Sequence, residues 1–137
     1  MKRRADAVRD YLQLRGAAAH VVAGGLEGLL EAWDRLVGEV DRGYRFTLDD
    51  YLNDLDVREL LAGAIERAGE PDAERARARL EAADERLRHL VVPTGECLWG
   101  AAVAEDEGWS PEMHWWYFSR PRRPGRALAA DLGLDER

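Results

Sequence analysis

The sequence predicts a mainly α-helical, single-domain bundle of four to five helices that ends in an aromatic extended or hairpin segment. Three observations carry this expectation. Apolar residues recur at steps of three and four through the first ninety or so positions. Start and stop signals bound those stretches. A length of 137 residues, with 46% hydrophobic and 34% charged side chains, suits one packed core rather than disorder or several domains.

The first helix is expected from Arg4 to Val22, where Val8, Tyr11, Leu12, Ala18, Ala19 and Val22 form a broad apolar face that Gly24 and Gly25 interrupt. The second has the cleanest periodicity, with Leu26, Leu29, Leu30, Trp33, Val37 and Val40 in one stripe that Leu36 widens. Gly43 after Arg42 makes its stop, because glycine accepts a left-handed cap and arginine suits the negative helix end. A third start follows at once. Thr47 is placed to cap, Asp49 and Asp50 face the positive helix end, and Phe46 is set to staple onto Tyr51. The same device repeats at Asp56, with Glu59 three residues on and Leu55 facing Leu60, so one bent helix or two short ones span 48–68. Gly69 closes that stretch, and Pro71 suits the first turn of the next helix.

That next helix is expected from Pro71 to Val91. Ala73, Ala76, Leu80, Ala83, Leu87 and Leu90 alternate at three and four, a narrow two-position seam flanked by charge. Such a seam meets one close neighbour: another helix of the same chain, or its own copy in a second subunit. Pro93 ends the helical pattern. Leu98 to Ala104 and Met113 to Ser119 are apolar or aromatic runs of strand length around a polar turn, which makes a hairpin conceivable and helix or irregular packing its rival. Arg120 to Gly125 reads as an exposed, extended link, and Leu128, Leu132 and Leu134 as a last short turn docked on the body.

Charge divides the chain into an acidic helical domain, residues 1–119, and a basic Pro/Arg-containing tail, residues 120–137. Residues 1–25 carry a net +3, residues 26–118 a net −12, and residues 119–137 a net +2. An acidic body argues against a broad phosphate-binding surface and suits steering toward a basic protein partner, or plain solubility. Cys97 is the one cysteine, so no internal disulfide forms and a reducing, cytoplasmic setting is expected. The basic start runs into acidic residues before any apolar stretch of signal-peptide length, and no run approaches a membrane span. Nineteen arginines against one lysine, with abundant alanine, match a GC-rich bacterial genome.

Chemistry-bearing motifs are sparse. His20, His89 and His114 stand apart with no paired cysteines, so neither zinc nor any other metal or cofactor is expected. Asp49, Asp50, Asn53, Asp54 and Asp56 lack the glycine and distal glutamate of a calcium loop; caps and a solvated face explain them. Gly24 to Gly28 lacks the strand and lysine of a phosphate loop. Cys97 and His114 offer the residue types of a thiolate–imidazole pair, against which stands burial of the cysteine as filler.

The most unusual stretch is aromatic. Trp109, Trp115, Trp116, Tyr117 and Phe118 lead directly into Arg120, Arg122 and Arg123. On a strand the four consecutive rings point alternately to two faces, so one face is exposed or covered by a partner. The leading expectation is a non-enzymatic protein–protein interaction module that binds another protein or a second copy of itself. A small acidic immunity or antitoxin-type protein fits the same physics. An enzyme built on Cys97 and His114, and a nucleic-acid binder working through the arginine tail, are the remaining readings.

Overall fold

A computed structural model describes residues 4–134. Among them the order is α1 (Arg4–Leu14), α2 (Ala19–Asp41), α3 (Leu48–Arg67), α4 (Asp72–Arg88), β1 (Val91–Pro93), α5 (Ala101–Glu107), a 3-10 turn (Trp115–Phe118), β2 (Ser119–Pro121) and α6 (Arg126–Asp131). The protein is a helical bundle with a small two-stranded sheet near its C-terminal end. Four long helices, α1 to α4, make the bundle, and α5 and α6 are short additions to it. No helix among the described residues is long and apolar enough to cross a membrane.

The first expected helix is two. Gly16 stops α1: at φ +77° it takes the left-handed conformation, Gly16 N–H donates to Gln13 O at 3.0 Å, and Ala17 N–H donates to Leu12 O at 3.0 Å. This is a Schellman closure, which glycine adopts without strain. Residues 19–22 therefore belong to α2, and Gly25 (φ 61°, ψ −152°) kinks that helix rather than ending the one before it. Beyond the kink the predicted stripe is the core face: Leu29, Leu30, Trp33, Leu36, Val37 and Val40 are buried.

Helix α3 begins as its residues foretell. Asp50 N–H donates to Thr47 Oγ1 at 3.2 Å and Thr47 N–H donates back to Asp50 Oδ2 at 3.3 Å, a reciprocal capping box. The staple differs: Tyr44 rather than Phe46 packs edge-on against Tyr51, with ring centroids 5.0 Å apart, and Phe46 stays 42% exposed. No second start occurs at Asp56. The helix runs unbroken to Arg67, because Leu55, Leu61, Ala64 and Ile65 are buried around it and tertiary packing holds it straight through. Pro71 occupies the N-cap of α4 rather than its first turn, and its carbonyl accepts from Arg75 N–H at 3.1 Å.

Helix α4 lies along α2 and α3, so the seam is covered from within the chain: Ala73, Ala76, Leu80, Ala83 and Leu87 are buried. Each leucine removed from water there contributes roughly 2 kcal/mol. The helix stops at Arg88, short of Val91, and Leu90 is half-buried beyond its end. Val91 to Pro93 instead enter β1, which pairs antiparallel with β2 in the register Val91 to Pro121 and Pro93 to Ser119.

The hairpin drawn between 98–104 and 113–119 is absent from this pairing. Its first run becomes α5, bracketed by Gly100 (φ 105°) and Gly108 (φ 74°). The four consecutive aromatics form a 3-10 turn, so the two-faced argument for a strand does not apply. Trp116 and Tyr117 are buried, while Trp115 and Phe118 are half-buried.

The 119/120 division falls inside β2, and the stretch after it is laid on the body rather than extended from it. Pro121 is buried, Arg122 N–H donates to Leu90 O at 2.9 Å, and Leu128 of α6 is fully buried against the core. Gly125 N–H donates to Tyr44 O at 2.7 Å, so close that any Cβ there would collide with the Tyr44 backbone. Met1–Arg3 of the basic start and residues 135–137 of the basic tail lie outside the described residues.

One polar cluster ties three helices together. Asp84 of α4 accepts from Trp33 Nε1 of α2 at 2.9 Å and from the Arg58 guanidinium of α3 at 2.9 and 3.2 Å. The Arg58 and Asp84 side chains are each 15% exposed. Removing one partner of such a pair leaves a charge enclosed without compensation. Asp84→Ala is expected to lower unfolding free energy by about 3 kcal/mol; urea denaturation with an unchanged midpoint contradicts this.

Candidate functional site

Asp56 and Glu59 sit three residues apart, which places both on one side of α3. With α3 uninterrupted, they form no cap. Both line a cleft of about 450 Å³ whose other walls are the α1 stop at Arg15–Ala17, Trp99, α5 with Val103 and Glu107, and Trp109 and Tyr117. The chain brings these together through the 94–118 connection: Leu98 N–H donates to Tyr117 O at 2.8 Å, and Trp109 N–H donates to Ala104 O at 2.9 Å.

Asp56 is the centre of the arrangement. Its Oδ1 accepts from the Tyr117 hydroxyl at 2.6 Å and from Trp99 Nε1 at 3.2 Å. Two neutral donors on one oxygen fix the carboxylate without cancelling its charge. No hydrogen bond within the described residues occupies Oδ2. Burial raises the Asp56 pKa from its ordinary value, against the lowering effect of the two donors, and nearby Glu107 raises it further. The Tyr117 phenol is pushed far up by burial and by its bond to Asp56, so it remains a neutral donor. Trp109 stacks on Tyr117 with centroids 3.9 Å apart and planes 13° from parallel.

The neighbouring groups complete the electrostatics. His114 Nδ1 accepts from Ser110 N–H at 3.3 Å, and its Nε2 lies 3.7 Å from Glu59 Oε1. Accepting at Nδ1 places the proton of the neutral ring on Nε2, facing Glu59. Among the described residues lining the cleft, Arg15 is the one cation, and no ion pair joins it to Asp56, Glu59 or Glu107. Instead its guanidinium lies 5.9 Å from the Tyr11 ring centroid.

The residues singled out from sequence are scattered by the fold. Trp109 and Tyr117 line the cleft and His114 borders it. Trp116 lies under the Arg58 guanidinium at 4.4 Å with its Nε1 buried and without a hydrogen-bond partner among the described residues, and Trp115 lies under Arg88 at 4.1 Å. Phe118 is half-buried, and its carbonyl accepts from Thr94 N–H at 2.9 Å.

The arginines do not converge on these rings: Arg120 donates to Pro121 O at 2.8 Å, Arg122 donates to His89 O at 3.1 Å, and Arg123 is exposed. Cys97 is buried, and both ring nitrogens of His114 are directed at groups other than its thiol. The acidic stretch 49–56 also divides: Asp50 caps α3, Asp54 accepts the Tyr44 hydroxyl at 2.6 Å, and Asp56 faces the cleft. No group of three or more His, Cys, Asp or Glu suited to a metal ion occurs among the described residues.

Sequence reasoning missed Trp99 and Glu107 and assigned Asp56 and Glu59 to a cap. No protein-family model matches the chain, and no curated protein or solved structure matches it.

The raised Asp56 pKa has a defined sign. The folded state takes up this proton at a higher pH than the unfolded chain, so the associated stability is present at low pH and is lost as pH rises through the raised value. Asp56→Asn keeps an oxygen for Tyr117 and Trp99 while removing the charge. In thermal unfolding, this variant is expected to be at least as stable as the wild type at neutral pH, with the difference shrinking on acidification. A variant that is markedly less stable at neutral pH contradicts the assignment.

Proposed function

We propose that this chain is a non-enzymatic interaction module that receives a basic side chain of a partner protein in the cleft of Asp56, Glu59 and Glu107. The observation that carries the reading is the half-enclosed Asp56 carboxylate, held by Tyr117 and Trp99 at Oδ1, with no hydrogen bond to Oδ2 among the described residues. A cation entering the cleft supplies that oxygen with a charge-assisted donor in a setting where water competes poorly.

Two further features favour a macromolecular partner. The net −12 of residues 26–118 steers a basic surface toward the molecule. Two large apolar side chains that adjoin Arg15 and His114 in sequence are also left exposed, Leu14 at 87% and Met113 at 72%. A protein surface covers such groups on binding; a small ion does not. A cytoplasmic setting belongs to the same proposal and is supported by the lone, unpaired Cys97.

Tryptophan fluorescence or calorimetric titration tests this reading with a short blocked peptide carrying arginine and lysine and a matched peptide carrying glutamate. The basic peptide is expected to bind, to weaken with added salt, and to lose at least about tenfold in affinity with Asp56→Asn, the worth of one hydrogen bond to a charged group. Equal binding of both peptides, or full affinity in the variant, contradicts it.

A further inference from the structure

We infer that α5 is a lid on the cleft of Asp56, which comes away from the body and unwinds between Gly100 and Gly108 while the rest of the bundle stays folded. The inference rests on the packing of α5 and does not depend on what the cleft binds.

Little holds α5 in place. It is the one helix among the described residues with no buried residue, and no other helix or strand packs broadly against it. Of its side chains, Ala104 is the one packed against the core. Its own sequence adds little support. Seven residues are too few to stay helical unaided, and no side chain caps the N-terminal end. Glu105, Asp106 and Glu107 crowd the last turn, where the helix dipole favours cations. Glu107 also stands close enough to Asp56 to disfavour its ionised form, so like charge acts across the closed lid.

The segments on either side are better held. Each bounding glycine adjoins an indole that lines the cleft, Trp99 before Gly100 and Trp109 after Gly108. Trp99 Nε1 donates to Asp56 at 3.2 Å, Leu98 N–H donates to Tyr117 O at 2.8 Å, and Trp109 stacks on Tyr117. Between these anchors Val103 and Glu107, one helical turn apart, close one wall of the cleft. The wall is fastened by Ala104, which packs on the core and whose carbonyl accepts from Trp109 N–H at 2.9 Å. Release of that one residue opens Asp56 and Trp99 to water. A segment with so few buried apolar contacts opens at a free energy well below that of the whole fold.

Native-state hydrogen exchange of the intact protein, read by NMR, tests the lid. The amides from Glu105 to Trp109 are expected to share one opening equilibrium and to be at least about a hundredfold less protected than those of Leu61 and Ala64 in α3. Low urea leaves that equilibrium unchanged, because opening exposes little surface, and the Leu98 and Tyr117 amides keep their protection. Apart from chain neighbours, no atom of the described residues lies within 4 Å of a Cβ built on Gly108 (φ 74°), so alanine there acts through backbone conformation. Gly108→Ala is expected to speed α5 exchange about tenfold, and Glu107→Gln to slow it about threefold. The Trp99 indole N–H follows both variants while the α3 amides do not. Exchange of α5 only with global unfolding overturns the lid, as does joint exchange of the whole 94–118 connection. A Trp99 indole unmoved by both variants overturns its covering of the cleft.

Discussion

Helix α3 is packed against α1, α2, α4, α6 and the aromatic 3-10 turn, and a helix so enclosed can carry ionisable side chains only where each meets a partner. Three of its partly buried ionisable side chains stand at alternate positions. Asp54 meets the Tyr44 hydroxyl, Asp56 meets Tyr117 and Trp99, and Arg58 meets Asp84. These contacts fix which segments surround the helix: the loop before it, the 94–118 connection, and α4. The polar pairings therefore select one arrangement of neighbours that apolar packing alone would leave less specific.

The three differ in what they leave over. Arg58 and Asp84 cancel, and Trp33 and Trp116 complete their coordination, so that cluster is closed. Asp54 is bound to a phenol and sits near Arg35, which lowers its raised pKa in part. Asp56 is held by two neutral donors and lies beside Glu107, which adds to its charge rather than offsetting it. Negative potential is concentrated where the fold also leaves an open recess and flat aromatic surface. Structural need and the proposed recognition thus converge on one residue: the bonds that anchor the C-terminal aromatics to α3 also hold its carboxylate.

Much of the helical frame was legible because its signals are local. The Leu29–Val40 stripe, the Thr47 capping box and the alanine–leucine seam each depend on residues within two turns of one another. Failures arose where one local pattern serves two ends. Gly16 falls inside the span expected for the first helix and is a helix stop; Asp56 and Glu59 have the spacing of a capping box, which is equally that of two neighbours on one helical face. Only the enclosure of α3 by distant segments decides between them.

The cleft itself was largely illegible for the same reason. Its walls come from residues 15–17, 56–60, 99–109 and 117, and no spacing rule links those positions. Trp109 and Tyr117 stood out by composition, but as part of an aromatic–arginine stretch that the fold takes apart. The 3-10 turn sends Trp116 and Tyr117 inward to different partners, and the following arginines bond to nearby backbone carbonyls.

Asp56 joins the scaffold to the proposed recognition cleft, and the indole N–H signals report on it directly. Trp99 Nε1 donates to Asp56 on the cleft wall, whereas Trp33 Nε1 donates to Asp84 inside the closed cluster. In a nitrogen–proton NMR titration with a basic peptide, the account predicts that the Trp99 and Trp109 indole signals move while Trp33 stays fixed. Movement of Trp33 with Trp99 unmoved, or shifts confined to signals outside the cleft, would contradict it.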